Sequence, residues 1–331
     1  MNESESGIEK ITDSIGDLMT GVPSPIRKNF FKAFGRLCTA LVDIPVAKME
    51  SSAAEIRANS SARIEIIKKE GQVISEKLNI PHEYITKASE KFASKIIKEQ
   101  LNIDQIGINA AINLSKEKYT DYNLNDAKEI SDDWLNEFEN YAKLKSSDEM
   151  KFVFGKILSG EICRPSKYSI KTLRTISQLD NEAAELFQKF CSICICMQFP
   201  DNLIIDARCL SFEGSADTNS LKKYGFPFAK LNILEEYGLI ASQYNTQADY
   251  FACIANENMV IGASLKYRDK EFGLVPKDGS MLIHELKLNG VRLTESGKQL
   301  LDIVPKIENI NYDIDLRKYL DNLNLSMKEI N

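Results

Sequence analysis

Four cysteines form the pattern in this sequence that most resembles a metal site. Cys191, Cys194 and Cys196 follow one another closely, and Cys209 lies further along the chain. Thiolates at such spacings bind zinc or iron when turns or ribbons bring them together. We interpret the apolar segment 190–197 as part of one continuous helix, so we expect buried, inert thiols, no metal and no other cofactor.

Other residues that could carry catalysis are few. The two histidines, His82 and His284, stand in no motif with a nucleophile or a metal ligand, which gives a histidine-based hydrolase little support. The sequence contains no phosphate-binding loop and no dinucleotide fingerprint. Five acidic residues could bind a metal ion together, but charge stabilisation at the N-termini of helices explains their positions equally well. These carboxylates are Asp132, Asp133, Glu137, Glu149 and Glu161.

Basic residues suggest two further sites. One is a stripe with helical spacing that could contact a polyanion, although Glu90 and Glu99 favour a solvated helix face. A second group could receive an anion or a partner's carboxylate, or form a structural salt bridge to Glu161 or Glu149. The nucleic-acid candidates are Lys87, Lys91, Lys95, Lys98 and Lys230, and the interaction candidates are Trp134, Arg164, Lys171 and Arg174.

Helical patterns position these residues in the first two thirds of the chain. An apolar stripe runs from Phe30 to Leu41, a sparser one crosses 48–78, and another helix is predicted from Pro81 to about Gln100. A Ser146–Glu149 capping box starts the next helix, which Gly160 ends. Two more helices follow, at 169–177 and 181–197, the second capped by Asp180.

The spacing of apolar residues changes after residue 203, from a helical period to one typical of strands. Short apolar runs predict strands at 203–205, 250–254, 259–261, 272–275 and 281–288, and Asn289-Gly290 is typical of a type I′ hairpin. A helix over 227–237 and a Thr294-capped helix flank these strands, and the tail 312–331 is predicted as one helix. This order resembles a winged-helix domain.

One stretch resembles a known family. Its residues are Asp132-Asp133-Trp134, Ser147-Asp148-Glu149, Lys156 to Glu161, Pro165, and Ser169 with Thr172-Leu173. They are similar to the core of the bacterial family known as domain of unknown function 2806, a resemblance that implies no reaction. A looser likeness links the chain to helical proteins of abortive infection, and this likeness is an analogy at the level of the fold.

The whole chain has 331 residues and a net charge of −6, and it shows no secretory signal or membrane span, so we expect a cytoplasmic protein. The predicted fold is mainly α with a C-terminal α+β part: a helical N-terminal region, a central three-helix module and a winged-helix-like domain. The predicted segments are 1–23 (flexible), 24–128, 129–200, 201–310 and 311–331.

The leading functional hypothesis is a non-enzymatic protein-interaction or sensor protein, in bacterial defence against phage, that binds a protein partner or a second copy of itself. The alternative is a nucleic-acid-binding regulator that uses the winged-helix-like domain and the lysine stripe. A metal-dependent hydrolase comes third, and membrane binding is not expected.

Overall fold

The computed structural model describes residues 18–38, 81–117, 119, 128–200, 202–215, 217–244, 246–256, 260–277 and 284–330. The predicted helix across 48–78 lies outside these residues, as do most of the predicted flexible N-terminus and parts of the strands predicted at 259–261 and 281–288. The chain divides into two units, Met1–Ile170 and Lys171–Asn331. The predicted domain limits stay predictions.

Four helices build the described part of the first unit. They are α1 (Ser24–Leu37), α2 (His82–Lys116), α3 (Asp132–Ala142) and α4 (Asp148–Cys163). Instead of ending near Gln100, α2 continues through the apolar segment 107–114 as one helix. The backbones of α2 and α4 come close at Gly155, where an added Cβ would lie 2.5 Å from Asn109 Cβ. This pairing buries the apolar faces of both helices.

Two predicted limits of α4 are wrong. Ser147, and not Ser146, is the N-cap, because its side chain accepts a hydrogen bond from Met150 N. The helix also continues past Gly160 to Cys163. Gly160 is needed for packing, since an added Cβ would lie 2.9 Å from the Tyr168 ring.

The second unit combines five helices with eight strands among its described residues. The helices are α5 (Ile170–Gln178), α6 (Asn181–Ser192), α7 (Phe228–Glu236), α8 (Glu295–Leu301) and α9 (Ile310–Asn322). The strands are β1 (Ile195–Gln198), β2 (Ile204–Leu210), β3 (Ile240–Ala241), β4 (Gln247–Asp249), β5 (Ser264–Tyr267), β6 (Lys270–Pro276), β7 (Lys287–Leu293) and β8 (Leu325–Glu329). Short 3₁₀ helices occupy Ser220–Tyr224 and Phe251–Cys253. The predicted caps of α6 and α8 are confirmed, with Asp180 bound to Ala183 N and Thr294 bound to Gly297 N.

The predicted fold class is wrong. All strands of the described residues join one antiparallel sheet in the order β3-β7-β2-β1-β5-β6-β8, and β4 pairs with β7. A winged helix would place a small β-wing after its recognition helix, whereas here β1 and β2 precede α7 and lie in the middle of the sheet. The short apolar runs at 203–205 and 272–275 do overlap strands, whereas the strand predicted at 250–254 is wrong, because that run contains a 3₁₀ helix. The runs did not indicate which strands pair.

The Asn289-Gly290 hairpin is also wrong, because both residues lie inside β7. Gly290 pairs with Leu210 of β2, and a Cβ at this glycine would lie 2.0 Å from the Cys209 carbonyl oxygen. Glycine is therefore required here for the close approach of two backbones and not for a turn.

The C-terminal tail contains a helix and a strand, not the single helix predicted. After α9 ends at Asn322, Asn324 adopts a left-handed conformation with φ of 59° and β8 pairs with β6. Asparagine tolerates this conformation better than most residues, so the chain reverses there. Among the residues that the structure describes, no helix is long and apolar enough to cross a membrane.

Candidate functional site

The residues that carry the family resemblance support one loop of the first unit. Ser131 caps α3 by accepting from Trp134 N, and Trp134 Nε1 donates to Tyr168 O at 2.7 Å. The indole stacks on Phe138, with ring centroids 5.0 Å apart. Trp134 is only 5% exposed, so its side chain belongs to the core.

Glu161 holds the same loop from the other side. Its carboxylate accepts hydrogen bonds from Ser166 N at 2.6 Å and from Tyr168 N at 2.9 Å. Burial raises the pKa of Glu161 to about 7, although the backbone amides oppose this shift by stabilising the carboxylate. Ser166 has a φ of 74°, so the loop is tightly turned where the carboxylate receives it. Trp134, Gly160 and Glu161 thus have structural reasons for their residue types.

The predicted basic interaction residues are exposed. Arg164 follows the end of α4, in the first unit, and its amide donates to Gly160 O. Lys171 and Arg174 lie on α5, in the second unit. Their predicted role in binding stays a prediction.

The acidic residues considered as metal ligands have several environments. Asp132 lies 2.7 Å from Arg36 Nη1, and Glu161 binds the loop amides. Asp133 and Glu149 are exposed and Glu137 is half-buried. Within the described ranges, no three or more histidine, cysteine or acidic side chains come together in a group that could hold a metal ion.

The cysteine cluster does not lie in one continuous helix, which corrects our interpretation. Helix α6 ends at Ser192, so Cys194 lies in the following turn and Cys196 in β1. Cys194 Sγ is 3.6 Å from Cys209 Sγ on β2. Burial raises the pKa of both thiols, and also that of Cys191 and Cys196. All four are buried at the junction between α6 and the sheet.

The lysine stripe occupies the N-terminal half of α2. Lys87, Lys91, Lys95 and Lys98 are all exposed. Because side chains three and four residues apart share one helix face, the stripe follows that face from Lys87 to Lys98. Lys230 is exposed on α7, in the second unit, and is not part of this stripe.

A row of apolar side chains lies beside these lysines. Tyr84 is 67% exposed, Phe92 60% and Ile96 44%. They are spaced by multiples of four residues and are offset from the lysine row by one position, so the two rows run side by side. We call the seven residues the α2 surface: Tyr84, Lys87, Lys91, Phe92, Lys95, Ile96 and Lys98. Ile85, which lies seven residues before Phe92, and Ala93 are buried on the same helix.

The charge of the α2 surface is only weakly positive. Lys87 pairs with Glu83 at 2.7 Å and Lys95 with Glu99 at 3.7 Å. The four lysines and three glutamates of residues 83–99 leave a net charge of +1. These exposed pairs contribute little to stability, since such surface bridges are worth about 0–1 kcal/mol.

The apolar row was missed by reasoning from the sequence. Its signal was the four-residue spacing of Tyr84, Ala88, Phe92 and Ile96, which is also the spacing of a helix face that packs into a core. Periodicity alone could not tell which apolar side chains of α2 are buried and which are exposed.

Comparison with known proteins gives one match. The model of a family described as protein of unknown function (DUF2806) matches residues 86–317. No curated protein matches the chain, and no solved structure does. The match covers most of α2, the loop held by Glu161 and most of the sheet.

Proposed function

The chain belongs to the DUF2806 family, and we propose that it is a cytoplasmic interaction protein that binds an acidic protein partner through the α2 surface. The observation that carries this proposal is the exposure of Tyr84, Phe92 and Ile96 beside four lysines. Exposed apolar groups that lie together, rimmed by polar ones, are typical of interaction sites. The expected role in defence against phage stays a prediction.

The shape of the α2 surface favours a helical partner. Residues 84–98 of a straight helix span roughly 21 Å, which matches about four turns of a second helix. An amphipathic partner helix would place its apolar side chains against Phe92 and Ile96. Its acidic side chains would then meet the lysine row.

Charge favours an acidic protein over a nucleic acid. A polyanion requires many phosphate contacts, whereas the surrounding segment carries a net charge of only +1 and the whole chain −6. Lys91 and Lys98 remain outside the two ion pairs with Glu83 and Glu99. These two cations can form ion pairs with a few carboxylates on a folded protein partner.

Site-specific photo-crosslinking in the cells that make the protein tests this proposal. A photoreactive phenylalanine at Phe92 is expected to crosslink to one distinct protein. The same group at Leu144, which is 60% exposed and lies outside α2, is the matched control. Changing both Lys91 and Lys98 to Glu should abolish the crosslink, because it replaces attraction of acidic groups by repulsion.

Three outcomes would contradict the proposal. Crosslinks to a second copy would make the α2 surface a self-association site. Equal crosslinking from Leu144 would show that contact with the α2 surface is not specific. A crosslink that survives the double lysine reversal would exclude charge recognition.

Single-stranded nucleic acid is the second candidate for the same surface. Tyr84 and Phe92 are exposed aromatic rings beside lysines, and rings of this kind stack on bases. Fluorescence anisotropy with a labelled single-stranded oligonucleotide tests this directly. Binding that weakens steeply with salt, and that both Phe92→Ala and Lys91→Glu reduce, would favour this second function.

A further inference from the structure

The second unit contains a cavity that none of the preceding sites uses. It has a volume of about 320 Å³ and is lined by residues of the β5–β6 turn, α9 and β8. This volume lies at the lower end of the range for small-molecule sites, about 300–1,000 Å³. The cavity is therefore large enough for a small organic molecule.

One wall of the cavity is the guanidinium of Arg268, which hydrogen bonds hold in place. Arg268 Nη2 donates to both carboxylate oxygens of Asp313, at 2.8 Å each, and the Tyr267 hydroxyl donates to Asp313 Oδ1 at 2.5 Å. These bonds use one of the three guanidinium nitrogens. Arg268 Nε is buried and has no hydrogen-bond partner among the described residues. Asp313 thus orients Arg268, and Nη1, which bonds to no described residue, is left for another acceptor.

The backbone at Arg268 supports a specific use of this side chain. Arg268 follows β5 in a two-residue turn and has a φ of 56°. Glycine would adopt this conformation without strain, whereas arginine does so at some cost. A guanidinium at this position can bind a ligand, and glycine could not.

The remaining charges show what kind of ligand fits. Lys270 is paired with Glu329 at 2.8 Å, while Arg317, on α9, makes no ion pair with any residue that the structure describes. Arg317 is exposed where it lines the cavity, so it can contact a ligand without first losing a partner. Asp269 is the acidic lining residue outside both ion pairs.

Apolar groups complete the cavity. Phe272 and Leu316 are buried and Met327 is half-buried, and all three line it. A site that combines arginines with apolar walls is suited to a molecule that has an anionic head and an apolar body.

We propose that this cavity binds a small organic carboxylate, whose carboxyl group contacts Arg268 and Arg317 and whose apolar body contacts Phe272, Leu316 and Met327. The three acidic lining residues equal the basic ones in number. A single negative charge is therefore favoured over the double charge of a phosphate monoester. The cavity lies in the second unit and α2 in the first, so this proposal is independent of the function proposed above.

The test is a calorimetric or ligand-observed NMR titration of the full chain with 3-phenylpropanoate. Binding is expected, and Arg317→Ala should weaken it about ten-fold or more, because a charged hydrogen bond is lost. Lys318→Ala is the matched control: it removes a neighbouring positive charge of α9 that does not line the cavity. This control should bind as the unchanged protein does.

A second variant distinguishes the loss of a ligand contact from a loss of folding. Arg268→Gly suits the backbone of the turn, so the chain should fold, and binding should still weaken about ten-fold. The proposal is overturned if 3-phenylpropanoate does not bind, or if the neutral 3-phenylpropanamide binds equally well. It is also overturned if phenyl phosphate binds more tightly, or if Lys318→Ala weakens binding as much as Arg317→Ala does.

Discussion

Glu161 is a buried carboxylate whose hydrogen bonds and desolvation act in opposite directions. Its amide donors, Ser166 N and Tyr168 N, stabilise the charged form, while burial favours the protonated form and raises the pKa to about 7. Because burial dominates, ionisation of Glu161 lowers the stability of the folded state relative to the unfolded chain, even though the loop amides favour the carboxylate. The first unit should therefore be sensitive to pH near neutrality.

We predict that Glu161 lowers the stability of the protein as pH rises. Its folded pKa of about 7 lies above its ordinary value of 4.5, so the folded state retains a proton that the unfolded chain has lost. The stabilising contribution is complete below pH 4.5 and disappears as pH rises through about 7, with a loss of at most about 3 kcal/mol. Denaturant unfolding at pH 5 and pH 8 measures it. Glu161→Gln should flatten this difference, and an unchanged pH dependence in that variant would contradict the prediction.

Trp134 gives a second prediction at this scale. Trp134→Phe keeps an aromatic ring near Phe138 but removes the buried hydrogen bond that the indole donates to Tyr168 O. We expect the free energy of unfolding to fall by about 1–3 kcal/mol. Chemical denaturation followed by circular dichroism measures this, since the chain has no other tryptophan for fluorescence. A variant as stable as the parent would show that water replaces this bond without cost.

At the scale of elements, two N-caps were predictable and the one predicted at Ser146 lies one residue later, whereas strand partners were not predictable. Asp180 and Thr294 cap helices as expected, because a cap depends on contacts within one turn of the chain. Gly290 was misassigned because the local pattern of a hairpin turn and that of a close contact with β2 are the same. The reversal at Asn324 depends on β6 being available to pair with β8, which no local pattern reports.

The candidate sites were also only partly predictable from the sequence. The spacing of Lys87 to Lys98 predicted a basic helix face, and those lysines are exposed on α2. The exposure of Phe92 depends on how the other helices pack, so the sequence did not reveal it. The cavity near Arg268 could not be predicted either, because Arg268, Arg317 and Met327 come from three separate elements.

Gly290→Ala tests the assignment of β7 as a continuous strand. The added Cβ would meet the Cys209 carbonyl oxygen at 2.0 Å, and both groups belong to paired backbones that cannot move freely. We expect a loss of about 2 kcal/mol or more in the free energy of unfolding. Gly262→Ala is the matched control, because its nearest neighbour would lie 3.6 Å away. Equal stability of the two variants would argue for a flexible turn at Gly290.

At the scale of the whole molecule, the two proposed binding features belong to different units. The α2 surface lies within the first and the carboxylate cavity within the second. The net charge of −6 disfavours non-specific contact with polyanions. Recognition by this protein should therefore depend on these local arrangements of charge and apolar surface.

The second unit should fold by itself. A fragment of residues 169–331 keeps α5 whole and contains every described strand of the sheet, together with the buried Cys209, Leu288 and Leu293. Because this unit has its own apolar core, we expect the fragment to fold and to melt in one cooperative transition followed by circular dichroism. Gly290→Ala should lower the melting temperature of the fragment, as it should that of the full chain. A fragment with the spectrum of an unfolded chain would show that the sheet depends on the first unit for its stability.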